Sequence, residues 1–201
     1  MIYLASRSPR RRELLAQIGV RFEPLLFREG TRADSDIDEA VRDGESPDEY
    51  VRRATRLKCD AGWSRVKQRR GLRQLPVLAA DTTVAIDSQI LGKPADREEA
   101  TQMLRLLSGR SHRVLTAVAV AFEERFQMAV SESVVSFEAL DEARIAAYIQ
   151  SGESFDKAGA YGIQGRAGAF VARLEGSYSG VMGLPLRETA QLLRKFGIVV
   201  P

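Results

Sequence analysis

Apolar positions along the chain switch repeatedly between strand-like runs and helical stripes. Ile2 to Ser6 is a short apolar run that reads as a buried strand, and Ser8-Pro9 then opens a helix with a capping residue and Pro at the first helical position. Leu14, Leu15 and Ile18 form that helix's stripe, and Gly19 is placed to end it. Residues 28 to 45 are polar and acidic without a sustained period and read as a long surface loop. Ser46-Pro47-Asp48-Glu49 is a capping box with Pro at N1, and Tyr50, Val51, Ala54, Leu57 and Ala61 carry a helix from about 47 to 65.

The basic stretch 67 to 74 reads as a solvated connection into PVLAADTTVAI, which is too continuously apolar for a half-exposed strand and predicts a central one. Asp96 caps a helix stopped by Gly109, and β-rich segments over about 113 to 138 predict a hairpin turning around Glu123 to Arg125. Asp141 caps a further helix closed by Gly152. Residues 153 to 168 are Gly-rich, Phe170 to Leu174 reads as a strand, and Pro185 to Phe196 as a last amphipathic helix. Strands alternating with helices predict an α/β fold in one domain over 1 to 201, with no internal repeat or linker.

Composition narrows the function classes. With 201 residues, 44% of them hydrophobic, and 30 basic against 27 acidic side chains, the chain can bury a core and lacks the charge imbalance of a disordered one. Five of the basic residues are Lys and the rest Arg, no Asn occurs, and the lone cysteine, Cys59, precludes an intramolecular disulfide. The N-terminal apolar run is too short for a secretory signal, and no stretch approaches the roughly 20 apolar residues that span a bilayer. A soluble cytoplasmic protein is therefore expected. One His and one Cys make a Cys/His zinc site or Cys-His nucleophile improbable, and neither a P-loop nor a dinucleotide fingerprint is present.

What remains suits a polyphosphate. Ser6, Ser8, Arg10 and Arg11 stand where a strand turns into a helix N-terminus, whose free N–H groups attract anions, although Ser8 could merely cap and the Arg side chains could be solvated. Asp81 interrupts an oily strand where an unpaired carboxylate would cost several kcal/mol, so it must have a partner. It suits a general base or metal ligand, or else a strand-end Asp held by backbone N–H groups. Lys58 and Lys93 stand beside apolar residues as compact phosphate contacts, with ordinary stem burial as the plainer alternative. Asp38, Glu39 and Glu45 could lend a carboxylate to a cation shared with phosphates, though such an acidic loop is commonly just solvated. The Gln164 amide matches the N3–H and O4 edge of uracil or thymine, or stabilises a turn, and His112 reads as structural.

LASRSPRRRELL at 4 to 15, ESPDEYVRRATRLK at 45 to 58, AADTTV at 79 to 84, GKP at 92 to 94, SGRSHRVLTAVAV at 108 to 120 and SGESFDKAGAYGIQG at 151 to 165 closely resemble the Maf proteins, a family of nucleoside triphosphate pyrophosphatases. The resemblance spans nearly the whole chain in the right order. It implies an elongated central mixed β-sheet flanked by helices, with two lobes and a cleft, similar to inosine triphosphate pyrophosphatases. It also implies hydrolysis of a nucleoside triphosphate to the monophosphate and pyrophosphate, as house-cleaning of nucleotide pools, with a divalent cation such as Mg²⁺ or Mn²⁺, by an expected homodimer.

Asp81 matches the family's proton acceptor. Arg10, Thr82 and Gln164 match positions linked to substrate choice in the branch acting on dTTP and UTP. Ser8, Arg11, Glu39, Lys58 and Lys93 match other cleft residues, with Glu39 and Asp81 as the implied metal ligands. Two departures stand out: Arg7 lies between the paired serines where a small residue is usual, and extra residues precede Asp38, so that Glu39 is placed by its spacing to Lys58. The rival classes are the same reaction on another or modified nucleotide, and a non-enzymatic nucleic-acid-binding regulator of division. The near balance of charge and the lack of an aromatic-interleaved basic motif argue against the latter.

Overall fold

The computed structural model describes residues 1–25 and 40–200. Strand β1 (Ile2–Leu4) feeds helix α1 (Pro9–Gln17), and β2 (Phe22–Pro24) follows. Helix α2 (Pro47–Gln68) leads to the long strand β3 (Val77–Ile86), the short β4 (Gln89–Leu91) and helix α3 (Arg97–Leu107). Strands β5 (Ser111–Phe122) and β6 (Arg125–Phe137) form a hairpin, followed by α4 (Glu142–Gln150), two 3₁₀ turns (Ala158–Ala160 and Arg166–Phe170), β7 (Val171–Glu175), α5 (Tyr178–Met182) and α6 (Leu186–Lys195). Among the described residues no helix is long and apolar enough to cross a membrane.

The seven strands make one mixed sheet in the order β2-β1-β3-β5-β6-β7, with β4 paired to β3. β2, β1 and β3 run parallel, and every other pairing is antiparallel. The centrality predicted for PVLAADTTVAI is what the chain adopts. β3 and β5 are covered on both faces, whereas the second half of β6 alternates buried positions (Ser131, Ser133, Val135, Phe137) with half-buried or exposed ones, as a strand nearer the edge does.

Local signals explain the helix starts. The Ser46 side chain accepts from the Glu49 N–H while the Glu49 carboxylate accepts from the Ser46 N–H, closing the expected box. Asp96 and Asp141 cap α3 and α4 through their side chains. Ser8 differs from expectation: it stands at the N-cap of α1 but makes no side-chain cap bond, and its own N–H is held by Ser6 Oγ at 3.2 Å.

Three apolar clusters share β3, two along its first half and one along its second. The first half of the strand packs with β1, α1, α2 and α6 through Leu78, Ala80, Val77 and Ala79. The second half packs Val84 and Ile86 against α3, α4 and the 3₁₀ segment. Asp81, Thr82 and Thr83 fall between these halves, so the sequence places polar side chains where the apolar packing parts.

Candidate active site

Three walls converge on that polar stretch. The loop from β1 into α1 contributes Ser6, Ser8, Arg10 and Arg11, and α2 contributes Tyr50 and Lys58. The opposite wall carries Lys93, after β4, and Asp156, Lys157 and Gln164 from the Gly-rich segment. With Asp81, Thr82 and Thr83 as its floor, the cleft encloses about 730 Å³, a volume in the range that holds small-molecule ligands. Ser8, Arg10, Arg11, Lys58, Asp81, Thr82, Lys93 and Gln164 therefore all line a single cavity. Glu39 and Asp38 lie outside the described residues.

Asp81 has the partner that burial demanded. Lys58 Nζ donates to its Oδ1 at 2.6 Å, and the two side chains retain only 14% and 12% exposure. The second carboxylate oxygen has no protein partner among the described residues, so one oxygen is fixed while the other is left to accept a proton from the cleft.

Arg11 is committed to the wall it belongs to. Its Nε donates to the Gly183 carbonyl at 2.8 Å, one Nη to Ser6 Oγ at 3.2 Å and the other to Thr82 Oγ1 at 3.3 Å. It thus ties the opening of α1 to the end of α5 and to β3. Arg10 faces across the cleft, 4.0 Å from Asp156. Lys93 is exposed at the rim, and Lys157 Nζ is held by the carbonyls of Glu153 and Phe155 at 2.6 and 3.3 Å and by Asp156 at 2.9 Å. Gln164 is exposed, and its amide has no hydrogen-bond partner among the described residues.

The far wall is brought in by one close approach. Gly159 sits at φ +68°, and a Cβ there would lie 2.9 Å from Val84 Cγ1, so only glycine lets this segment press on β3. Its N–H donates to the Gly92 carbonyl at 3.0 Å, fastening the GKP turn to the same segment.

Sequence reasoning did not single out Tyr50, Asp156 and Lys157. Tyr50 reads as part of an apolar stripe, and the scarcity of Lys was the signal that could have flagged Lys157. Glu45, considered as a cation ligand, is instead gripped by Arg53 at 2.6 and 2.8 Å, which holds its carboxyl near pKa 2. Cys59 is buried between α2 and the sheet, and burial pushes its thiol up to about 12, which leaves it inert as a nucleophile.

His112 is structural, as expected. Its Nε2 lies 2.8 Å from Tyr161 Oη, and its ring packs edge-on against Phe137 and Tyr161. Burial lowers its pKa to about 4. The unfolded chain therefore binds more protons between pH 6.5 and 4, so stability falls as pH drops through that window, by up to about 3 kcal/mol from this group. His112→Gln should flatten that part of the dependence. Denaturant titrations of both proteins at pH 7 and pH 4.5 check this, and equal losses in the two would contradict it.

Comparison with known proteins follows the same contour. A family model described as "Maf-like protein" matches residues 1–196. A dTTP/UTP pyrophosphatase of Nitrosomonas europaea is 55% identical over 199 residues, covering 99% of this chain and 96% of the relative. One from Cupriavidus metallidurans is 56% identical over 198 residues, covering 98% of each. Among solved structures, the Staphylococcus aureus Ham1 protein aligns with a TM-score of 0.44 and 17% identity over 70% of this chain and 72% of that one.

Proposed function

The chain belongs to the Maf-like family, and on that premise we propose that it hydrolyses dTTP and UTP to the monophosphate and pyrophosphate. The observation that carries this reading is the half-committed carboxylate of Asp81, pinned by Lys58 on the floor of a cleft whose walls hold the opening turn of α1 and the ammonium groups of Lys93 and Lys157. Such a site offers what attack on a phosphoanhydride needs: a fixed proton acceptor and donors aimed at spreading negative charge.

In the proposed reaction the triphosphate lies against Ser8 and Arg10 at the α1 N-terminus, where the helix dipole favours anions. Lys58 and Lys93 hold the flanking phosphates. The free oxygen of Asp81 takes a proton from a water directed at the α-phosphorus, and pyrophosphate leaves. Since little covalent chemistry is asked of the protein, positioning and electrostatics supply the rate.

A divalent cation fits this donor set. Mg²⁺ is ordinarily held by one or two carboxylates together with substrate phosphates and water. Asp81 supplies one carboxylate, and Glu39 is the expected second. No group of three or more His, Cys, Asp or Glu side chains gathers among the described residues, and Glu39 lies outside them. When bound, the ion supplies positive charge that offsets the charge developing on the phosphates.

The Gln164 amide faces the base and can donate to the O4 carbonyl of thymine and uracil. The reading expects a homodimeric cytoplasmic enzyme. Its test is pyrophosphate release across canonical and modified nucleotides with Mg²⁺ and Mn²⁺. dTTP and UTP should exceed the purine nucleotides in kcat/KM by more than about tenfold, and chelation should stop turnover. A preference for a purine or modified nucleotide would overturn the assignment.

A further inference from the structure

Thr82 stands on β3 directly opposite Thr116 on β5, and their hydroxyl oxygens are 3.0 Å apart. Thr116 is fully buried, and its Oγ1 lies 2.7 Å from the Gly180 carbonyl oxygen. Two oxygens at that distance need a proton between them, and a carbonyl has none, so the single hydroxyl proton of Thr116 is spent on Gly180. The contact between the two threonines must then be made by the proton of Thr82. Arg11 adds an N–H donated to Thr82 Oγ1 at 3.3 Å. Thr82 has thus given its proton away and received one bond, and it can offer the cleft only a lone pair.

We propose that Thr116 is a positioning residue for base selection, because it locks the Thr82 hydroxyl as an acceptor toward the bound nucleotide. An acceptor-only oxygen repels a phosphate oxygen, so Thr82 faces the base rather than the phosphate chain. The one hydrogen-bond donor on a thymine or uracil ring that keeps its glycosidic bond is N3–H. Cytosine, of the same size, carries a bare lone pair at N3. Thr82 therefore accepts the N3 proton of uracil or thymine and meets cytosine lone pair to lone pair.

Gln164 cannot make that distinction alone. Its amide has no partner among the described residues to pin it, and a half-turn exchanges its donor and acceptor to suit either base. In this arrangement Gln164 donates to the O4 carbonyl while Thr82 sets the sign of the reading.

The inference rests on the pyrimidine nucleotide reading above and is tested separately from it. Affinities of α,β-methylene analogues of UTP and CTP are measured by calorimetry for the wild type, Thr116→Val and Thr116→Ser, with UTP and CTP turnover followed in parallel. Thr116→Val frees the Thr82 proton, and the preference for the uracil over the cytosine analogue should fall by about tenfold or more. The kcat for UTP should change by less than about threefold, since the phosphates and Asp81 are untouched. Thr116→Ser keeps the relay and should keep the preference, and Thr116→Ala gives the same reading as valine should the valine misfit. A valine or alanine variant that discriminates as the wild type does, a serine variant that loses the preference, or a wild type that binds both analogues equally would each overturn the proposal. A wild type that hydrolyses no nucleotide would sink the proposed function, while the analogue affinities would still decide the role of Thr116.

Discussion

Asp81→Asn should lower kcat for dTTP by roughly a thousandfold while leaving KM within a few-fold of the wild type. The amide is nearly the same size as the carboxylate, so the cleft keeps its shape, but it cannot take a proton from water at neutral pH. Steady-state pyrophosphate release at saturating metal measures the effect. A variant with ordinary turnover would show that the carboxylate on the cleft floor serves packing or charge balance only.

Lys58→Met should cost about 3 kcal/mol of stability, because it strips the partner from a carboxylate that keeps only 12% exposure. For a chain of this length that is a fall in Tm of roughly 6–12 °C. Adding Asp81→Asn to the same protein should recover most of the loss, since the double variant leaves no uncompensated charge. A Lys58→Met protein that melts with the wild type, or a double variant no more stable than the single one, would mean that the ion pair does not hold the cleft floor together. This expectation concerns the fold rather than the chemistry, so a catalytic failure of Asp81→Asn would leave it standing.

Both expectations begin with residues whose importance could be read before any coordinates. Asp81 and its need for a partner were legible because a carboxylate in an oily strand violates the pattern around it. Lys58 was visible because this chain otherwise chooses Arg. The long elements were equally plain: the capping box at Ser46 starts α2 where expected, though the helix runs three residues past the predicted end at about 65. The hairpin between β5 and β6 turns at Glu123, which takes φ +55° without a glycine.

The missed elements are the short ones. β2, β4 and α5 span three to five residues each, too few to show a period, and they are held by pairing and packing rather than by local preference. The turn into β4 uses Asp87 and Ser88, both at positive φ, so it lacks the Gly or Asn that ordinarily marks such a hairpin. The far wall of the site was only half visible. Asp156 and Lys157 reach the cleft because Gly159 presses on Val84, a contact between residues distant in sequence that no local pattern encodes. The Thr82–Thr116 pair is hidden for the same reason, since it depends on the register of β3 against β5.

The most direct test of the account follows the oxygen. Hydrolysis of dTTP in ¹⁸O-labelled water, with the products separated and weighed by mass spectrometry, reports which phosphorus the water attacks. Water activated by Asp81 toward the α-phosphorus should place the label in dTMP and leave the pyrophosphate unlabelled. Label in the pyrophosphate, or release of dTDP with inorganic phosphate, would contradict the proposed reaction.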